Sequence, residues 1–156
     1  MTRPVVAAHG LSVSPPAGWE ATIYRRAAAP GEQTAAVMHA ATVALPPERG
    51  DYGAGVVEAL GPADVFVGLL DFGPAAAGSP LFASTGVPGL TPDMFRPRQL
   101  QRLLRGQAGV QRFFTEAGRA FCLYAVVGSW ADRGPLCARA NQLVGTLRVG
   151  RAATVR

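Results

Sequence analysis

Apolar and polar residues alternate over residues 11–14 (Leu-Ser-Val-Ser) and again over 19–26, where Trp19, Ala21 and Ile23 share one face and Glu20, Thr22 and Tyr24 the other. Successive side chains of a strand point to opposite faces, so both segments predict half-buried strands. Pro15-Pro16-Ala17-Gly18 separates them, and Pro30-Gly31 marks a loop over 27–33. Residues 34–45 are apolar and β-branched up to Pro46-Pro47 and predict a central strand. Residues 52–60 predict a further strand, and 64–72, apolar on both faces, a strong one. Only Gly61-Pro62-Ala63 lies between these two, which leaves room for a hairpin turn and implies antiparallel pairing.

Residues 73–91, rich in Gly, Pro, Ala and Ser, read as loop. Leu100, Leu103 and Leu104 then fall on one face of a short helix, with Gly106 at its C-cap position. Segments 110–115 and 119–128 flank Glu116-Ala117-Gly118 and predict a second hairpin. Its second strand is apolar on both faces and is expected to be central. Pro135 opens the last helix, in which Leu136, Ala140, Leu143, Val144 and Leu147 form a stripe that must pack on a sheet. The fold class expected is α+β, a mainly antiparallel sheet with a short helix and a C-terminal helix packed on it. Neither a repeat nor a linker interrupts the chain, so residues 1–150 are expected to form one domain, with a polar tail over 151–156.

Composition adds a charge division. The 156 residues hold fifteen arginines and no lysine. Residues 1–95 carry four arginines against eight acidic residues, a balance of −4, and residues 96–156 carry eleven against Glu116 and Asp132, a balance of +9. Use of arginine over lysine, with abundant Ala, Gly, Pro and Val, resembles the codon bias of GC-rich genomes and the small proteins of actinobacteria. That bias does not account for the one-sided distribution. Hydrophobic residues make up 49% of the chain and charged ones 16%, the balance of a folded globule rather than a disordered tail. The opening MTRPVVAAHG has an apolar stretch of four residues, against the roughly 7–15 of a secretory signal, and apolar runs such as 65–70 are far short of the roughly 18 that suggest a membrane span. A cytoplasmic protein without a transmembrane segment is the expectation.

Catalytic chemistry finds few candidates. His9 precedes the first strand and His39 lies inside an apolar one, and no Gly-x-Ser-x-Gly elbow occurs. Cys122 sits in Phe-Cys-Leu-Tyr and Cys137 at the edge of the last helix's stripe; free buried thiols and a disulfide both remain open, and zinc lacks further ligands. Gly50-Asp-Tyr-Gly-Ala-Gly55 has no Gly-Lys-Ser/Thr and is not a phosphate loop. Glu48 and Asp51 flank a turn and read as a solvated pair. Neither catalytic residues nor a metal or cofactor are therefore expected. The remaining signal is Arg96, Arg98, Arg102, Arg105 and Arg112, with no acid among them. Arg98, Arg102 and Arg105, spaced i, i+4, i+7, would share one face of the short helix, and Phe95, Phe113 and Phe114 lie close by in sequence. Arginine forks suit carboxylates and phosphates. The cluster reads as a solvated face, as internal partners of the acidic half, as a protein-binding surface, or as a site for nucleic acid or an anionic surface.

The opening strand followed by Pro-Pro-Ala-Gly-Trp19 and a second strand, together with a final helix carrying Leu136, Asn141, Leu143, Thr146 and Leu147, resembles the PsbP-like α/β/α sandwich family. The resemblance covers the order of elements and about twenty residues of motif. It implies a non-enzymatic scaffold that binds a protein partner or its own copies. The family's metal and partner residues have no counterparts here.

Overall fold

A computed structural model describes residues 4–25 and 35–150. The loop expected over 27–33 and the tail over 151–156 lie outside the described residues. Eight strands and one α-helix follow in the order β1 (Val6–Ala8), β2 (Leu11–Val13), β3 (Glu20–Arg25), β4 (Ala36–Ala41), β5 (Val65–Gly73), β6 (Ala108–Glu116), β7 (Arg119–Val127), α1 (Arg133–Val144) and β8 (Arg148–Val149). They form a five-stranded antiparallel sheet, β3-β4-β5-β7-β6, and a three-stranded one, β1-β2-β8. The α+β class is therefore as the sequence pattern predicts.

Strand register decides what each face of the large sheet carries. Met38, Leu69 and Leu123 lie opposite one another across β4, β5 and β7, as do Ala40, Val67 and Ala125. These residues share one core with Leu136, Cys137, Ala140, Leu143 and Val144 of α1 and with Leu11, Val13 and Trp19. The helix and the small sheet thus cover this face together. On the opposite face, Val37, Leu70, Cys122 and Phe113 form one row, and His39, Gly68, Tyr124 and Gln111 the next. Here the cover is loop: Val56, Val57 and Leu60, with Leu100 and Leu104, pack on Phe66, Tyr124 and Val126. β4 and β7 are interior strands, as their two-sided apolar patterns require.

Polar contacts seal the helix side. Asn141 accepts from Leu90 N–H through Oδ1 (3.0 Å) and donates from Nδ2 to Leu90 O (2.8 Å), tying the 83–91 loop to α1. Thr146 Oγ1 accepts the Ser14 N–H (3.1 Å) and donates to Leu143 O (2.7 Å). Buried Arg119 pairs with Asp71 and donates to the carbonyl oxygens of His9 (3.2 Å) and Gly150 (3.3 Å). One guanidinium therefore fastens the small sheet to the large one. Gly10 is required beneath it: its φ is +77°, and a Cβ there would lie 2.6 Å from Arg119 Nη1.

Two expected elements are absent, and each loss has a local cause. Residues 52–60 are not a strand and do not pair with β5. Gly53 and Gly55 take positive φ, Val56 and Val57 N–H both donate to Gly53 O (2.8 and 3.0 Å), and a 3₁₀ turn follows at Val57–Ala59. A Cβ at Gly53 would meet the Phe66 ring at 2.6 Å, so this loop lies flat on the sheet where a strand's side chain would not fit. β5 already has β4 and β7 as its neighbours. The short helix around Leu100–Leu104 does not form either. Its backbone groups find tertiary partners: Gln101 N–H donates to Tyr124 Oη (3.0 Å), Arg96 and Gly109 exchange two bonds (2.9 and 3.0 Å), and Trp130 N–H donates to Gly106 O (2.7 Å). So short a segment gains little from helical bonds of its own, and the tertiary bonds win.

Candidate functional site

The loop-covered face holds the buried histidine of the sequence. His39 Nε2 is 2.7 Å from Asp51 O, and Nδ1 accepts the Arg49 Nε–H at 2.9 Å. The carbonyl needs a donor and the guanidinium an acceptor, so the ring is neutral with its proton on Nε2. Burial pushes its pKa down to about 4; the bond to Asp51 O opposes this and the Arg49 charge adds to it. Tyr24 Oη donates to Asp51 Oδ1 (3.0 Å), the Arg49 guanidinium stands 5.2 Å from the Tyr24 ring centre, and Arg49 also bonds Pro46 O. Both ring nitrogens are engaged by loop 42–60, so the imidazole holds that loop on the sheet. His9 occupies the β1–β2 turn at φ +53°.

Both cysteines are free and buried. Cys122 belongs to the loop-covered face and Cys137 to the core under α1, so the sheet separates them. This settles the choice left by the sequence: they are free thiols. Burial raises the Cys122 thiol to about 12 and raises Cys137 as well, which keeps the nucleophilic thiolate scarce in both. Among the described residues no group of three or more His, Cys, Asp or Glu stands close enough to hold a metal ion.

Arg96, Arg98, Arg102, Arg105 and Arg112 are all exposed. The shared helical face proposed for Arg98, Arg102 and Arg105 does not exist, because Arg98 sits in the 3₁₀ turn Pro97–Gln99 and the other two in the turns after it. Four of the five still belong to a single surface loop, 96–105. Arg112 stands apart: on edge strand β6 it shares a face with Val110 and Phe114, on the α1 side of the sheet. Among the described residues the ion pair these arginines make is Arg102–Glu58, at a long 3.8 Å and in solvent. The phenylalanines divide: Phe95 and Phe114 are core, while Phe113 packs edge-on to Phe82.

Two further residues join this surface that the charge pattern did not single out. Leu103, expected on an apolar helix face, is 72% exposed. Trp130, bonded through its backbone to Gly106, is 40% exposed and carries the Arg133 guanidinium 4.0 Å over its ring. The signal available in the sequence was a tryptophan within the polar turn Gly-Ser-Trp-Ala-Asp, just ahead of a helix.

A cavity of about 230 Å³ opens beside this loop, walled by Tyr52, Val57, Leu100, Leu104 and Tyr124, with Arg102 and Glu58 at its sides. A wider depression of about 430 Å³ crosses β1 and β3 near Trp19 and Leu45. Its charged groups are committed elsewhere: Glu20 Oε2 accepts the Leu45 N–H (2.9 Å) and Arg49 holds His39. The narrower cavity is the one that adjoins loop 96–105 and its exposed arginines. No helix among the described residues is long and apolar enough to cross a membrane. No protein-family model, curated protein or solved structure matches this chain.

Proposed function

We propose that this chain is a non-catalytic binding domain that acts through protein–protein contact, with loop 96–105 and Trp130 as the contact surface. The observation that carries the reading is Leu103, an apolar side chain left in solvent between exposed Arg102 and Arg105, just ahead of Gly106, which bonds the backbone of exposed Trp130. Tryptophan and arginine dominate the energetic centres of protein interfaces, and arginine forks meet carboxylates in two places at once. The histidine and the thiols are spent on packing and loop attachment, whereas this surface has unspent binding capacity. A PsbP-like scaffold is part of the same proposal. It is supported by burial of Trp19 in the core and by the structural bonds of Asn141 and Thr146. We place the activity in the cytoplasm, where free thiols such as Cys122 and Cys137 stay reduced.

A polyanion-binding module using 96–112 is the second reading, favoured by the exposure of all five arginines. It is weakened by Arg112, which lies on the other side of the sheet edge, and by Glu58, which sits within the group. The test is capture from an extract of the native host with immobilised wild type and Leu103→Asp. The proposal expects a protein that survives nuclease treatment and moderate salt, and that Leu103→Asp loses. Capture abolished by nuclease, with binding that falls steeply as salt rises, would establish the second reading instead.

A further inference from the structure

The cavity beside the arginine loop is too small for most small-molecule sites and the right size for one side chain. Its volume of about 230 Å³ falls below the roughly 300–1,000 Å³ of pockets that enclose drug-sized ligands. Its walls are apolar or aromatic: Val57, Leu100 and Leu104 with the rings of Tyr52 and Tyr124, which meet edge to face at 5.5 Å. The Tyr124 hydroxyl already accepts the Gln101 N–H. The charged residues of its wall are Arg102 and Glu58, joined by a long ion pair, and Arg98 and Arg105 are exposed on the same loop. An apolar hole beside a loop of exposed arginines is the arrangement of an interface anchor: one buried side chain supplies desolvation and the flanking charges supply orientation.

We propose that this cavity takes one bulky apolar side chain, a leucine or phenylalanine, from a partner segment whose flanking residues are acidic. This rests on the protein-binding reading above and specifies the partner's chemistry. Charge complementarity selects an acidic segment. A protein is favoured over a nucleic acid because Tyr124, at 1% exposure, offers no open face for base stacking.

The test uses ¹⁵N-labelled protein and capped peptides at low salt. Glu-Glu-Phe-Glu-Glu is expected to shift the amide resonances of 52–58 and 100–105. Glu-Glu-Ala-Glu-Glu should bind about ten-fold more weakly, since the anchor carries the contact, and Lys-Lys-Phe-Lys-Lys should not bind. Ala54 lines the cavity from an exposed position, so Ala54→Trp should block the opening without disturbing the core and weaken the phenylalanine peptide about ten-fold. Arg102→Glu should weaken the same peptide while leaving the spectrum's dispersion intact. Equal affinity for the phenylalanine and alanine peptides would overturn the anchor, as would shifts confined to other segments. A poly-uridine strand that moves the same resonances at lower concentration would replace the acidic segment with a nucleic acid. The two proposals fail separately: if Ala54→Trp keeps the host protein that Leu103→Asp loses, the anchor cavity is wrong and the binding surface stands.

Discussion

At the scale of single residues, His39 and Arg119 show how this chain uses polar groups inside its fold. Each is buried, each carries several bonds, and each joins a covering segment to the large sheet. Removing one partner of a buried pair leaves the other unsatisfied, which makes such fasteners costly to disturb. His39 also gives the fold a pH dependence. Its folded pKa of about 4 lies below the ordinary 6.5, so between these values the unfolded chain binds the extra proton. The stability held in neutral His39 is fully present above about pH 6.5. It is lost as pH falls toward 4, by up to about 3 kcal/mol. Urea unfolding of wild type and His39→Gln should therefore show a stability difference that shrinks between pH 7 and pH 4.5. A difference that stays constant over that range would mean the ring titrates equally in both states.

At the scale of elements, α1 is the strongest local prediction of the sequence and the one most exposed to a direct check. Leu143 is fully buried among β-sheet residues, so Leu143→Ala should destabilise the protein by about 2–5 kcal/mol, the usual cost of emptying a leucine site. A loss near zero in chemical denaturation would place that face of the helix away from the core. The β6–β7 hairpin, β5 and α1 were legible because their apolar periods extend over nine to twelve residues and are flanked by turn residues. The two-residue and three-residue strands of the small sheet were not all legible: β8 has only Arg148 and Val149, and its pairing with β2 depends on where α1 delivers the chain. Segments 52–60 and 100–106 were misread for a shared reason. Their leucines and valines have the spacing of regular elements, but they pack as loop on Phe66 and Tyr124; the backbone of 52–60 is satisfied by local turns about Gly53, and that of 100–106 by partners remote in sequence. The five arginines are exposed without the helix, because exposure of a charge depends little on whether its backbone is helix or turn.

At the scale of the whole molecule, the large sheet separates two different coverings. One face is sealed by a helix, a small sheet and an ion pair. The other is closed by two loops with a side-chain-sized cavity between them, walled in part by Arg102 and Glu58. The charge division of the sequence is thus expressed in part as a local surface, loop 96–105, and in part as pairing between the halves, Arg119 with Asp71 and Arg102 with Glu58. The central claim is that this loop's charge belongs to contact with a partner and not to the fold. Capture from the native host's extract with the Arg98/Arg102/Arg105→Gln protein, set beside wild type, tests it most directly. The account predicts that the captured protein is lost while urea unfolding stays within about 1 kcal/mol of wild type, since exposed charges contribute little to stability. Undiminished capture by the variant, or a stability loss of several kcal/mol, would contradict it.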